Sequence, residues 1–207
     1  VATNNTGGIL VFNMPNLPQE GKRTRVFSNE VVSNNTPNFG HEGTPVASVP
    51  AGSGIVISSN DQVEVFENFI AHNETANIII ASVYSSNFAD MNAQPNYDPY
   101  PEGIFIYDNT LEGGGSSPDG LDLAALKVVM FGLGGSFPDV IWDGFLNRAK
   151  LIDGQQPEDA RICIDNGDIS LLNVDAPNEY ANPRIQTDEH MCALPQLTPV
   201  TLTFSDL

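Results

Sequence analysis

The chain has 207 residues, of which 41% are hydrophobic and 16% charged, and its 26 acidic against 8 basic side chains give a formal net charge of -18. That length supports one large domain with a continuous core. A field of that sign repels nucleic acid and anionic membrane surfaces and attracts divalent cations and basic partners, and no run of 18 apolar residues exists to span a bilayer.

In chain order, the first apolar run is Gly8-Ile9-Leu10-Val11, and its kind returns at Gly54-Ile55-Val56-Ile57 and at Asn77-Ile78-Ile79-Ile80. A second motif follows each of them: Arg25 to Val31, Glu64 to Ile70 and Phe105 to Leu111 all read aliphatic, aromatic, polar, Asn, any, aliphatic. Pairing the motifs gives three coils. Strand one is 9 to 12, 55 to 57 or 78 to 81, and strands two and three flank Asn29, Asn68 or Asn109.

Self-similarity of this kind marks a solenoid. One coil cannot bury its apolar face alone, but stacked coils bond in parallel about 4.8 Å apart, so like side chains pile on like. Val26, Val65 and Ile106 are expected in one inward column, and Val31, Ile70 and Leu111 in another. The three asparagines are expected to form an amide ladder at the turn between strands two and three. Parallel crossovers are right-handed as a rule, so the expected fold is all-β, a right-handed parallel β-helix.

The unequal spacing of the repeats places inserted loops at Asn13 to Thr24, Thr36 to Ser53 and Ser85 to Glu102. Long loops in a compact domain carry function or are disordered, and a groove walled by 36 to 53 and 85 to 102 is the expected place for a ligand. Beyond Asn109, Ser117-Pro118 reads as a helix start, and Leu121, Ala124, Ala125, Val128 and Val129 predict an amphipathic face on one short helix. Val140 to Leu146 (VIWDGFL) matches the strand-two pattern, with Trp142 in the aromatic place and Gly144 in the asparagine place, and is taken as a last coil. Residues 1 to 146 thus form the coils and 147 to 207 a capping region.

In that cap, Ala160 to Val174 is expected to be a hairpin turning at Asp165-Asn166-Gly167-Asp168, and Val200 to Phe204 is a final apolar run. Cys163 and Cys192 lack zinc-ligand spacing, so a disulfide pinning the cap is expected. With few lysines and many small polar residues, the pair points to a secreted or periplasmic protein. Val1 follows no signal-like segment, which reads as a mature form or a fragment.

The GIVI and VxVFxN repeats resemble the right-handed parallel β-helix proteins, the group that includes pectate and alginate lyases, epimerases and many secreted bacterial proteins. The segments RTRVFSNEVVSNNTPNF, GSGIVI, PDVIWDGFLN and RICIDNGDISLLNVD are similar to an uncharacterised secreted bacterial β-helix family. The resemblance implies a fold and brings no functional residues with it. It also implies further coils ahead of Val1 or another chain covering the core under Ile9 to Val11.

The functional candidates follow from the columns. Phe27, Phe66, Tyr107 and Trp142 are expected to stack, with Ser28, Glu67, Asp108 and Asp143 in the next column. Such a surface suits a polysaccharide, with Ca²⁺ bridging the acids, or serves only to stiffen the coil. Asp165 and Asp168 are the metal candidates, half of a calcium loop without its closing glutamate. A lyase or epimerase would need a base and cations, and Lys22, Arg23, Arg25, Lys127, Arg148 and Lys150 supply the cations without falling in register with the acids. His41, His72 and His190 are scattered, and no hydrolase elbow, zinc helix or phosphate loop occurs. Asn4, Asn34 and Asn73 open N-x-T sequons, but the equivalent places of Asn34 and Asn73 after strand three explain those two without glycans. The readings that remain are a structural or carbohydrate-binding module, a polysaccharide lyase or epimerase, and a subunit of a fibre or oligomer.

Overall fold

The computed structural model describes residues 1–15, 17–86 and 97–201. Its strands are β1 (Ala2–Thr3), β2 (Gly7–Phe12), β3 (Lys22–Phe27), β4 (Glu30–Val32), β5 (Ser53–Ser58), β6 (Asp61–Phe66), β7 (Phe69–Ala71), β8 (Ala76–Ala81), β9 (Ile104–Tyr107) and β10 (Thr110–Glu112). Helix α1 (Leu121–Phe131) follows, then β11 (Val140–Trp142), β12 (Ile162–Asp165), β13 (Leu171–Asn173), β14 (Arg184–Ile185) and the single-turn α2 (Thr187–His190).

The strands assemble into three sheets. Sheet I has the order β1-β4-β7-β10, sheet II β14-β13-β11-β8-β5-β2, and sheet III β12-β9-β6-β3. Every pairing is parallel except that of β14 with β13. From β2 to β11 the chain visits sheets II, III and I in unbroken rotation. A parallel neighbour can only be reached by a crossover, and here the crossover is the other two sheets.

The register is the one the repeats predict. Ile9, Ile55 and Ile78 pair in turn, as do Val26, Val65 and Ile106, and Val31, Ile70 and Leu111. Alternate residues on each strand point inward, so Ile55, Ile57, Val63, Val65, Ile70, Ile78, Ile80, Ile104 and Ile106 make one core fed by all three sheets, each fully buried. Burying one such side chain stabilises by about 1.5–3 kcal/mol, which is why their β-branched types recur.

Three expectations fail. Val140 to Trp142 is not in the strand-two sheet but in sheet II, paired with β8 and β13. The 113 to 139 insertion, α1 included, lengthens a corner and does not replace a strand, so the next strand must still fill the strand-one place. Nor is 160 to 174 a hairpin: β12 joins β9 in sheet III and β13 joins β11 in sheet II, both in parallel. Its Asn-Gly starts another passage between sheets. Helix α1 does form, but it begins at Leu121, after Gly120, and turns Leu123, Leu126, Met130 and Phe131 onto Ile141 and Leu172. Leu121 and Val129, assigned to the inner face, are 89% and 83% exposed.

At the far end, Cys163 and Cys192 are bonded as expected, and α2 packs on β12 and β13. Of the final apolar run, 202 to 204 lie outside the described residues, as does much of the 85 to 102 loop.

Candidate functional site

The asparagine ladder forms, with one more rung than predicted. The backbone N–H and Nδ2 of Asn29 both donate to Asn68 Oδ1 at 3.0 Å. Asn68 donates in the same way to Asn109 (3.1 and 2.9 Å), and Asn109 to Asn166 (2.7 and 3.0 Å). A second ladder joins sheets I and II: Asn5 donates to Asn34, Asn34 to Asn73 (3.1 Å twice), and Asn73 Nδ2 to Asn77 Oδ1 at 3.0 Å. Asn34, Asn73 and Asn77 are fully buried, so two sequons are consumed by the fold.

The aromatic column is real but covered. Phe27, Phe66 and Tyr107 stack at 5.1 and 5.0 Å with near-parallel planes. Arg25 lies over Phe27 and Phe66 at 5.3 and 4.9 Å and donates from Nε to Glu64 at 2.8 Å. The tail crosses this face: Cys192 and Leu194 pack on the rings, and Leu197 N–H donates to Glu64 at 2.6 Å. Phe66 and Tyr107 are therefore each 7% exposed, and only Phe27, at 47%, is open. Burial also raises the Tyr107 phenol above its ordinary range.

Trp142 and Asp143 do not join this column. Trp142 follows Val11, Ile57 and Ile80 along the inward column of sheet II, where it meets His190 edge-on. Asp143 is buried beside it and accepts from Ser82 N–H at 2.6 Å, Ser85 Oγ at 2.7 Å and Phe145 N–H at 3.1 Å. Burial holds its carboxyl above the usual range, and its role is to tie the 82 to 86 segment to β11. Glu67 and Asp108 do lie on successive exposed turns, each with a left-handed backbone (φ 54 and 52) like Ser28 (φ 54). Asp165 and Asp168 flank the ladder rung Asn166 on the surface.

Titratable groups converge instead at the corner from sheet II to sheet III. Asp61 opens β6, and Asp98, Glu102 and Lys150 are brought to it by the insertions before β9 and β12. Carboxylate oxygens of Asp61, Asp98 and Glu102 lie within 4.8 Å of one another. Lys150 Nζ donates to Asp98 at 2.6 Å and also to Glu102, and Glu102 N–H donates to Asp61 at 3.2 Å. Burial, then the charges of Asp98 and Glu102, push the Asp61 carboxyl up to about 7 from 3.8, against the pull of Lys150. Burial raises Glu102 as well, with Lys150 opposing. Burial would lower Lys150, but its bonds to Asp98 and Glu102 outweigh that and hold it charged.

Asp61, Glu102 and Lys150 line a cleft of about 460 Å³ together with Glu20, Lys22, Arg23, Gln62 and Asp159. Three carboxylates so close could hold a cation, but the Lys150 ammonium stands between two of them, so an ion must displace it. Of these four, only Asp98 and Glu102 fall in a loop that the repeat spacing marks for a ligand; Asp61 and Lys150 lie outside both loops. A separate apolar groove of about 160 Å³ runs over Val56, Ile79 and Ile141 on sheet II, between Ser48 to Pro50 and Ser85-Ser86. It lies between the two loops that the spacing singles out.

No family model, curated protein or solved structure matches the chain. No helix among the described residues is long and apolar enough to cross a membrane.

Proposed function

We propose that the three sheets are the faces of a right-handed parallel β-helix, that the protein is exported, and that it binds a hydroxyl-rich, uncharged saccharide in the corner cleft. The rotation of the chain through three parallel sheets supports the first part, since parallel crossovers are right-handed in nearly all cases. The disulfide fits an oxidising compartment.

The single observation that carries the ligand class is the mixed character of the cleft. Donors Lys22, Arg23, Gln62 and Lys150 line the cleft together with acceptors Asp61, Glu102, Glu20 and Asp159. A polyol presents both donors and acceptors and matches that lining. A polyanion would meet a net charge of -18, and an apolar ligand would find nothing to cover. The buried state of Phe66 and Tyr107 moves the saccharide away from the aromatic column. The reading needs no calcium, since the Lys150 ammonium bridges Asp98 and Glu102.

A glycan array probed with and without chelator tests this. Calcium-independent binding of uncharged glycans, weakened at least tenfold in Gln62→Ala and in Asp159→Ala, is the expected result; an array with no bound glycan removes the proposal. A second reading, a lyase or epimerase, is favoured by one observation: an Asp61 carboxyl pushed up to about 7, with Lys150 acting on it, could take a proton from a sugar carbon. Release of unsaturated, ultraviolet-absorbing products from polyuronates, abolished in Asp61→Asn, would establish that reading.

A further inference from the structure

A second cleft opens between the segment that follows β11 and the segment that follows β13. It holds about 610 Å³, against about 460 Å³ for the corner cleft, and the two share no lining residue. Every residue that lines it falls between 100 and 186, inside the described segments. The lining is held in place by its own contacts. Gly144 leaves β11 with φ 90, and a Cβ there would collide with Asn173 Oδ1. Asn173 Oδ1 accepts from Asp175 N–H and its Nδ2 donates to Gln186, both at 2.8 Å.

Its charge runs against that of the rest of the molecule, where 26 acidic residues outnumber 8 basic ones. At the corner cleft Lys22, Arg23 and Lys150 meet four carboxylates, those of Glu20, Asp61, Glu102 and Asp159. Here Arg148 and Arg184 meet only that of Asp175. The pairing is loose: Arg184 Nη1 lies 3.9 Å from Asp175 Oδ1, which also accepts from Asn178 Nδ2 at 2.8 Å. A guanidinium carries five donors in a planar fork. Trp142 lines the same cleft at 3% exposure, and among the described residues nothing accepts from its indole N–H. Buried donors without an acceptor are rare in folded proteins.

We infer that this cleft binds a small polar molecule by its one anionic group, a carboxylate or a phosphate, which Arg148 and Arg184 hold. The arginine fork matches either group, and the amides of Asn147, Asn178 and Gln186 suit a hydroxyl-bearing remainder. The net charge of -18 does not oppose this. Exposed charges more than about 8 Å apart are largely screened at physiological ionic strength. A long polyanion meets the whole acidic surface, whereas a small anion meets the two arginines. The inference concerns a different cleft from the saccharide reading and does not rest on it.

Trp142 is the chain's single tryptophan, so fluorescence excited where tyrosine does not absorb reports on this cleft alone. The native chain is titrated with sodium gluconate, with sorbitol and with inorganic phosphate at constant ionic strength, by fluorescence and by calorimetry. Saturable binding of gluconate or phosphate is expected, and none of sorbitol; the tighter of the two anions tells a carboxylate ligand from a phosphate one. Arg148→Gln and Arg184→Gln are each expected to weaken binding at least tenfold with unchanged circular dichroism, while Gln62→Ala in the corner cleft leaves it unaltered. Calorimetry that shows neither anion bound at tens of millimolar overturns the inference. So does an affinity that survives both arginine substitutions or falls in Gln62→Ala.

Discussion

The corner between sheets I and II and the corner between sheets II and III end in opposite chemistry. At the first, Asn34, Asn73 and Asn77 are neutral, fully buried and bonded rung to rung. At the second, Asp61, Asp98, Glu102 and Lys150 crowd together with a carboxyl held near 7. Both corners carry inserted segments of unequal length, 33 to 52 and 113 to 139 at the first and 82 to 103 and 143 to 161 at the second. At the first the buried asparagines spend their polar groups on one another, whereas at the second the inserted segments themselves bring carboxylates and an ammonium together at a cleft.

The sharpest way to break this contrast is at the buried corner. Asn73→Ala removes the acceptor of Asn34 N–H and Nδ2 and the donor to Val31 O and Asn77 Oδ1. Each buried polar group left unpaired costs about 1–3 kcal/mol, and neighbouring losses overlap, so a destabilisation of about 3–4 kcal/mol is expected in denaturant titration. Asn29→Ala, at the half-exposed end of the other ladder, should cost only about 0.5–1 kcal/mol.

At the charged corner the expected effects are smaller and differ in sign. Lys150→Met leaves Asp98 and Glu102 without their cation and should destabilise by about 1–2 kcal/mol, less at high salt, since the ammonium is itself half exposed. Asp61→Asn keeps the acceptor for Glu102 N–H and removes the repulsion, and should stabilise above neutral pH by about 1 kcal/mol. The sign follows from linkage. The folded carboxyl titrates at about 7 and the unfolded one at 3.8, so between these values the folded state binds the extra proton. Asp61 therefore adds stability as pH falls from about 7 to 3.8. Buried His190 acts oppositely, its ring held below 6.5 by desolvation, so its share is lost on acidification below 6.5. Melting curves of the native chain and Asp61→Asn across that window isolate the first contribution as their difference.

How far these corners were legible follows from how each is encoded. The first ladder was visible because Asn29, Asn68 and Asn109 sit inside a local motif whose strands lie on both sides. Its fourth rung, Asn166, was hidden in an Asn-Gly that local turn chemistry assigns to a hairpin. The second ladder was half visible: Asn34 and Asn73 are equivalent in sequence, whereas Asn77 lies only four residues on, at the next strand's start. Trp142 was misplaced because an aromatic followed by a polar residue and a turn occurs in strand one as well as strand two, and only the order of sheets tells them apart. The charged corner had no local signature at all. Its members at 61, 98, 102 and 150 meet because separate insertions fold over one corner, and no spacing rule connects them.

The smallest effect tests whether the exposed turns carry any function. Glu67 has a left-handed backbone (φ 54) at a turn where, among the described residues, its carboxylate accepts a hydrogen bond from the Ser28 hydroxyl alone, at 3.4 Å. Glycine relieves that conformation, worth about 1–2 kcal/mol for an L-residue, but adds backbone freedom to the unfolded chain, worth about 0.5–1 kcal/mol in the opposite direction. Glu67→Gly should thus change stability by no more than about 1 kcal/mol, towards stabilisation, while saccharide binding in the corner cleft stays unaltered. A binding loss at unchanged stability would return the acidic turn to the functional surface and move the ligand to the corner between sheets III and I. If binding holds, the turn residues Ser28, Glu67 and Asp108 are what the ladder beneath them requires and nothing more.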